Sequence, residues 1–186
     1  MIQVAQKDIT KMNYIDAIVV AANKNLQTGT GLYKNIHRCA GERLLKECCL
    51  LGGCKEGEAK ITGGYNLPCR YIIHTVAPVW IDGNYGEKEL LERCYINSLK
   101  LALKYDIHSI AFSAIPTGRS TYPPSIAAEI AIKTVMDFIY KYPEKIDLIE
   151  WAISGERICR AYRKALKNVN YLYDGYCLLY TSPSPR

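Results

Sequence analysis

The stretch IDAIVVAANKNLQTGTGLYKNIHRCAG, residues 15–41, decides how the rest of the chain is read. Its apolar run, 17–22, has the length and continuity of a buried strand. An Asn, a Gly-containing turn and the start of a helix follow. A strand that delivers polar residues and glycines to a helix N-terminus can form an anion site. The first-turn N–H groups are unpaired there, and glycine lets a phosphate approach them. The spacing is not a dinucleotide fingerprint, and no Gly-Lys-Ser/Thr follows to make a P-loop. From the residues alone, a phosphate cradle and an ordinary strand–turn–helix corner both stay open.

Outward from this stretch, strands and helices alternate. Upstream, Ile2–Ala5 reads as a short strand and Asp8-Ile9-Thr10 as a turn. Downstream, Ile36, Cys39, Ala40, Leu44, Leu45, Cys48 and Cys49 recur at helical spacing, interrupted near Gly41 and ended by Gly52-Gly53. Strands are expected over 58–62, 71–76, 109–115 and 146–153. An amphipathic helix over 87–105 carries Leu91, Cys94, Tyr95, Leu99, Ala102 and Leu103 on one stripe. Pro123 and Pro124 suit the first turn of a helix running to about Tyr142. A last helix covers 155–167. The alternation predicts an α/β sandwich with a largely parallel or mixed sheet. Ligands in such sheets lie beyond the carboxyl ends of the strands. Three polar loops, 23–31, 116–122 and 154–156, leave strand ends and are expected to converge there.

Composition narrows the class. The 186 residues suffice for one domain with a real core. The net charge of +6 favours anionic ligands only weakly. The basic cluster Arg157, Arg160, Arg163, Lys164 and Lys167 reads as a solvated helix face rather than a nucleic-acid patch. Eight cysteines show no CxxC pair and histidines number three, so free thiols in a reducing compartment are expected, without a metal site. No apolar run is long enough to span a bilayer and the N-terminus lacks a signal-peptide core, so a cytoplasmic protein without membrane partners is expected. From Asn168 the chain turns Tyr-rich, then Ser/Pro-rich, and 168–186 reads as a disordered extension or a translated scar. The domain is therefore expected over 1–167.

Taken together, KDIT, DAIVVAAN, GTGLYKNIHRCAG, GEAKITGGYNLPCRYIIHTVAPVW, SIAFSAIPTG and YPPSIAAEIAIKTV resemble the macro domain family in order and spacing. The nearest branch contains mono-ADP-ribose and O-acetyl-ADP-ribose hydrolases. The resemblance implies a three-layer α/β/α sandwich with a mixed central sheet. It also implies ADP-ribose, or a mono-ADP-ribosylated protein, as partner. A monomer is expected, with no cofactor and no nucleic acid.

Residue by residue, the resemblance gives Asp8, beside Ile9, the role of accepting from the adenine amino group. A carboxylate only accepts and an exocyclic amine only donates. Asn23 takes the contact to the distal ribose and is the candidate catalytic residue. Thr28-Gly29-Thr30-Gly31 stands for a glycine run, followed by Leu32. The second phosphate loop gives Ala114, Pro116, Thr117 and Gly118, with Arg119 and Ser120 where an apolar and an aromatic residue are usual. Two departures bear on catalysis. Val20 replaces the first Asn of the strand-end motif. Tyr33, expected among the ligand contacts, stands where hydrolases hold an Asp that orients water, and a phenol is a poor base at neutral pH. The implied function is binding of ADP-ribosyl groups, with hydrolysis of ADP-ribosyl esters or O-acetyl-ADP-ribose. The alternatives are a non-catalytic reader or a degenerate fold used for protein or RNA contact.

Overall fold

The continuous apolar run of the opening stretch becomes β2 (Ala17–Ala21), whose first four residues are buried on both faces. A strand so apolar needs cover above and below, and needs hydrogen-bonded neighbours on each side. The computed structural model, which describes residues 1–116 and 122–169, supplies both. The other strands are β1 (Ile2–Ala5), β3 (Ala59–Gly63), β4 (Tyr71–Thr75), β5 (Ser109–Phe112) and β6 (Leu148–Ala152). They form one sheet in the order β1-β6-β5-β2-β4-β3. All neighbours are parallel except the edge pair β3–β4. Mixed sheet and layered helices match the expected sandwich.

The helices are α1 (Gly31–Ala40), α2 (Glu42–Leu50), α3 (Glu87–Lys104), α4 (Pro124–Lys141) and α5 (Glu156–Val169). Side-chain alternation along the strands sorts the core into two halves. Ala17, Val19, Ile73, Ile110, Phe112 and Trp151 pack with α3, α4 and α5. Ile18, Val20, Ile72 and Ala111 pack with α1, α2 and the 3₁₀ turn Ile9–Lys11. Each fully buried Ile or Val contributes about 1.5–3 kcal/mol. Gly41 separates α1 from α2 at φ 88°, and a Cβ there would lie 2.8 Å from the Asn66 side chain. A side chain is thus excluded at the corner on two counts.

Three boundaries move by two residues or more relative to expectation. β5 ends at Phe112 rather than reaching 115, because Ala114 and Ile115 are buried as anchors of the loop and not in the ladder. β6 begins at Leu148 rather than 146, as the Asp147 and Leu148 amides both turn to the carbonyl of His108. α5 runs to Val169, into the stretch assigned to the tail, since Val169 continues the inward stripe of Tyr162, Ala165 and Leu166. Residues 170–186 lie outside the described structure.

One carboxylate shapes the loop between β4 and α3. Glu87 is buried and accepts from the backbone amides of Ile81 (3.0 Å), Asp82 (3.3 Å), Gly83 (3.1 Å) and Tyr85 (2.7 Å). Desolvation pushes its carboxyl up, but the bonds from its own amide and those of Ile81, Tyr85 and Gly83 outweigh this and hold it at about 2. The folded value lies below the ordinary 4.5, so the contribution to stability is complete above 4.5 and is lost as pH falls toward 2. Glu87→Gln should therefore lower the urea midpoint at pH 7, with the gap from wild type closing between pH 4.5 and 2. A gap that is constant across this window would refute the assignment.

Candidate functional site

The parallel register brings the carboxyl ends of β1, β6, β5 and β2 to one edge of the sheet. At the β1 end, Asp8 caps the 3₁₀ turn. Its Oδ1 accepts from the Thr10 amide (3.0 Å) and hydroxyl (2.7 Å). Its Oδ2 faces outward, with Lys11 Nζ at 3.7 Å. The Thr10 hydroxyl, working against desolvation and helped by the Thr10 amide and Lys11, holds the carboxyl below its ordinary range. Asp8 thus combines a local capping role with an outward-facing acceptor. Ile9 is buried beneath it in the core.

The loop bearing Asp8 is anchored by Glu150, which is completely buried on β6. Glu150 accepts from Gln3 Nε2 (2.8 Å) and the Tyr14 hydroxyl (3.0 Å) and pairs with Lys7 Nζ (3.0 Å). Lys7 also donates to the Tyr14 hydroxyl at 2.7 Å. Lys7, which stands where the resembled family usually has Gly, is thus employed in holding Asp8's own loop. The Gln6 side chain donates to the Ser154 carbonyl (3.2 Å), tying the β1 and β6 loops together.

At the β2 end, Asn23 closes its own loop. Its Nδ2 donates to the Gln27 carbonyl (2.7 Å) and its Oδ1 accepts from the Gln27 amide (3.1 Å). One N–H and one lone pair of this exposed carboxamide are left over. Leu26 drives fully into the core from a left-handed backbone, φ 56°. Gly29 lies close over Asn23, since a Cβ there would meet Asn23 Nδ2 at 3.1 Å. Thr30 precedes α1 without a side-chain capping bond, so the first-turn amides at Gly31, Leu32 and Tyr33 have no capping side chain. Thr30 and Gly31 are exposed, and Leu32 is half-buried.

Tyr33 is placed differently from the other residues of this loop. It is buried, and its hydroxyl lies 3.0 Å from Nδ1 of His74 in the core. The third position of α1 belongs to the inward stripe Tyr33, Ile36, His37 and Ala40, which explains the direction. Burial, with Cys48 and Cys54 nearby, pushes the phenol well above its ordinary range. It therefore supplies neither a carboxylate nor a base. Burial, with the neighbouring His37, drives His74 down to about 3, so His74 is neutral. His74 was not singled out by the sequence reading, although its place on the same face of β4 as Ile72 was a usable signal.

At the β5 end, Ser113 donates its amide to the Val19 carbonyl (2.9 Å), binding this loop to β2. Ala114 is buried and Pro116 half-buried. Thr117, Gly118, Arg119 and Ser120 lie outside the described residues. A cavity of about 870 Å³ adjoins the Asn23 loop, lined by Lys24, Asn25 and Gln27 and by residues 52–56. No helix among the described residues is long and apolar enough to cross a membrane.

A six-stranded mixed sheet with its polar loops gathered at one edge defines a class, and comparison with known proteins agrees. The sequence profile of the macro domain matches residues 19–131, and the chain belongs to that family. It is 48% identical over 170 residues to a macro domain-containing protein of Methanosarcina mazei, covering 90% of this chain and 89% of that one. It is 50% identical over 163 residues to a protein of Escherichia fergusonii named O-acetyl-ADP-ribose deacetylase, covering 84% and 92% of the two chains. Among solved structures it resembles the Oceanobacillus iheyensis macrodomain with ADP, at TM-score 0.86 and 36% identity, covering 91% and 92%.

The Glu150 cluster makes a stability prediction. Lys7→Met removes the cation facing a fully buried carboxylate. It should lower unfolding free energy by about 1–2 kcal/mol, since the ammonium is partly exposed and screened. Adding Glu150→Gln should recover part of that loss in a chemical-denaturation cycle. A Lys7→Met variant as stable as wild type would show that the pair contributes nothing.

Proposed function

We propose that the protein binds ADP-ribose, or the ADP-ribosyl group of a mono-ADP-ribosylated protein, along the strand-end edge. The observation that carries this reading is the spacing of unlike groups on that edge. An outward-facing carboxylate, Asp8, follows β1, while Asn23 and the uncapped N-terminus of α1 follow β2. Three inter-strand steps separate the two ends, roughly 14 Å at 4.8 Å per step. Asp8 suits an adenine amine, the amides of α1 suit a phosphate, and Asn23 with Gly29 and Gly31 suits a ribose. Thr117, Gly118, Arg119 and Ser120 complete the phosphate loop in this proposal.

Hydrolysis is the second reading, and it is favoured by 50% identity to a protein named O-acetyl-ADP-ribose deacetylase. Water, ordered by the substrate's own phosphate and by Asn23, attacks the acyl carbon. The ester C–O bond then breaks and the ribose oxygen takes the proton. No carboxylate of the opening loop assists, because Tyr33 occupies that place and faces the core. Recognition without rapid turnover is accordingly the reading the geometry supports best.

Calorimetry with ADP-ribose tests the binding. Micromolar affinity is expected, and no heat at millimolar ligand would end both readings. Asp8→Ala should weaken binding by about 1–3 kcal/mol, as expected for loss of a charge-assisted bond. Unchanged affinity would remove Asp8 from the site. For hydrolysis, slow release of acetate from O-acetyl-ADP-ribose should vanish in Asn23→Ala. Intact binding with no turnover in wild type would leave the protein as a reader.

A further inference from the structure

Tyr33, His74 and Thr62 form a buried chain of polar groups beneath the Asn23 loop. Tyr33 Oη lies 3.0 Å from His74 Nδ1, and His74 Nε2 lies 2.9 Å from Thr62 Oγ1. Thr62 Oγ1 in turn lies 3.2 Å from the Gly63 carbonyl. A neutral imidazole carries one N–H, and each hydroxyl carries one O–H. With Tyr33 donating to Nδ1, Nε2–H donates to Thr62 and Thr62 donates to Gly63; in the reverse order Thr62 donates to Nε2, Nδ1–H donates to Tyr33 and the Tyr33 hydroxyl turns to Cys48, so either order links the three side chains. The chain therefore runs from α1 through β4 to β3.

The upper end of this chain touches the loop. A Cβ on Gly29 would lie 3.5 Å from Tyr33 Cδ1 and 3.1 Å from Asn23 Nδ2. The space a side chain at position 29 would need is thus bounded by both the Tyr33 ring and the Asn23 carboxamide. Val20, paired in register with His74 across the sheet, offers His74 no hydrogen bond. The polar partner comes from the helix above instead. Packing alone would be served equally well by Phe at position 33, so the hydroxyl points to a second demand.

We infer that Tyr33 is a positioning residue for the β2–α1 loop: locked from below by His74, its ring is the floor on which Gly29 and the Asn23 carboxamide stand. The inference rests on the reading that this loop meets the distal ribose of ADP-ribose. Tyr33 touches no ligand in this role. It takes the place of an acidic residue without its chemistry and contributes geometry at the ribose end of the crevice.

The test uses selectivity between ligands. ADP ends before the distal ribose, so it keeps the adenine and phosphate contacts but lacks the contact to Asn23. Calorimetry of wild type and Tyr33→Phe with both ligands should show ADP-ribose weakened about tenfold and ADP less than about twofold. Thr62→Val, at the far end of the chain, should shift selectivity the same way by about threefold, and serves if Tyr33→Phe does not fold. Equal losses for both ligands, or loss for neither, would overturn the inference. A wild type that binds neither ligand would instead remove the functional reading beneath it.

Discussion

Phe112 of β5 lies in register with Val19 of β2 on one side and Trp151 of β6 on the other. That row constrains everything beyond it. Parallel strands in register end together, so their loops must leave from one edge, and helices must carry the chain back. The polar groups of this protein gather at that edge because the ladder delivers them there. Apolar cover on both faces keeps the row in place, with Phe112 and Trp151 stacked at 5.7 Å between ring centroids. A slip of one residue would turn Val19 and Phe112 out of their half of the core.

Within this frame, three buried or half-buried polar groups act as fasteners rather than as chemistry. Glu150 ties β1's loop to β6, Glu87 gathers the amides of the β4–α3 loop, and His74 joins α1 to β3. Glu150 and His74 reach out from within their strands, and Glu87 from the start of α3. A satisfied buried hydrogen bond yields only about 1 kcal/mol net, yet losing one partner costs about 1–3 kcal/mol. Such groups therefore penalise wrong loop geometries more than they reward the right one. The loops around the crevice combine these fasteners with buried apolar anchors such as Ile9, Leu26, Ile115 and Ile153.

The architecture was legible because periodicity is a strong signal. The run 17–22, the α3 stripe and the Gly41 break each forecast an element correctly. Ends were less legible, because Ala114 and Ile115 continue the apolar pattern of β5 while serving a loop. Asp8 and Asn23 are site candidates by resemblance alone, and the structure shows that each closes its own turn. The direction of Tyr33 was missed for a definite reason. Tyrosine is at home on either face of a helix, and the inward stripe was counted from Ile36 although Tyr33, Ile36 and Ala40 share one face. Glu87 and Glu150 drew no notice, since long-range partners such as Gln3 and Tyr14 leave no local pattern. His74 showed only as one polar residue within an apolar strand.

Leu26 carries one more consequence. A leucine at positive φ sits in a region that side chains disfavour, and the strain costs on the order of 1–3 kcal/mol. Glycine would relieve that strain and lose the buried anchor. With leucine, the loop is closed before any ligand arrives, braced by the Asn23–Gln27 bonds and by the Cys54 amide on the Lys24 carbonyl at 2.8 Å. The loss of conformational freedom is settled during folding instead of being charged against each binding event. Under the proposed function, a small polar ligand would meet a loop already ordered.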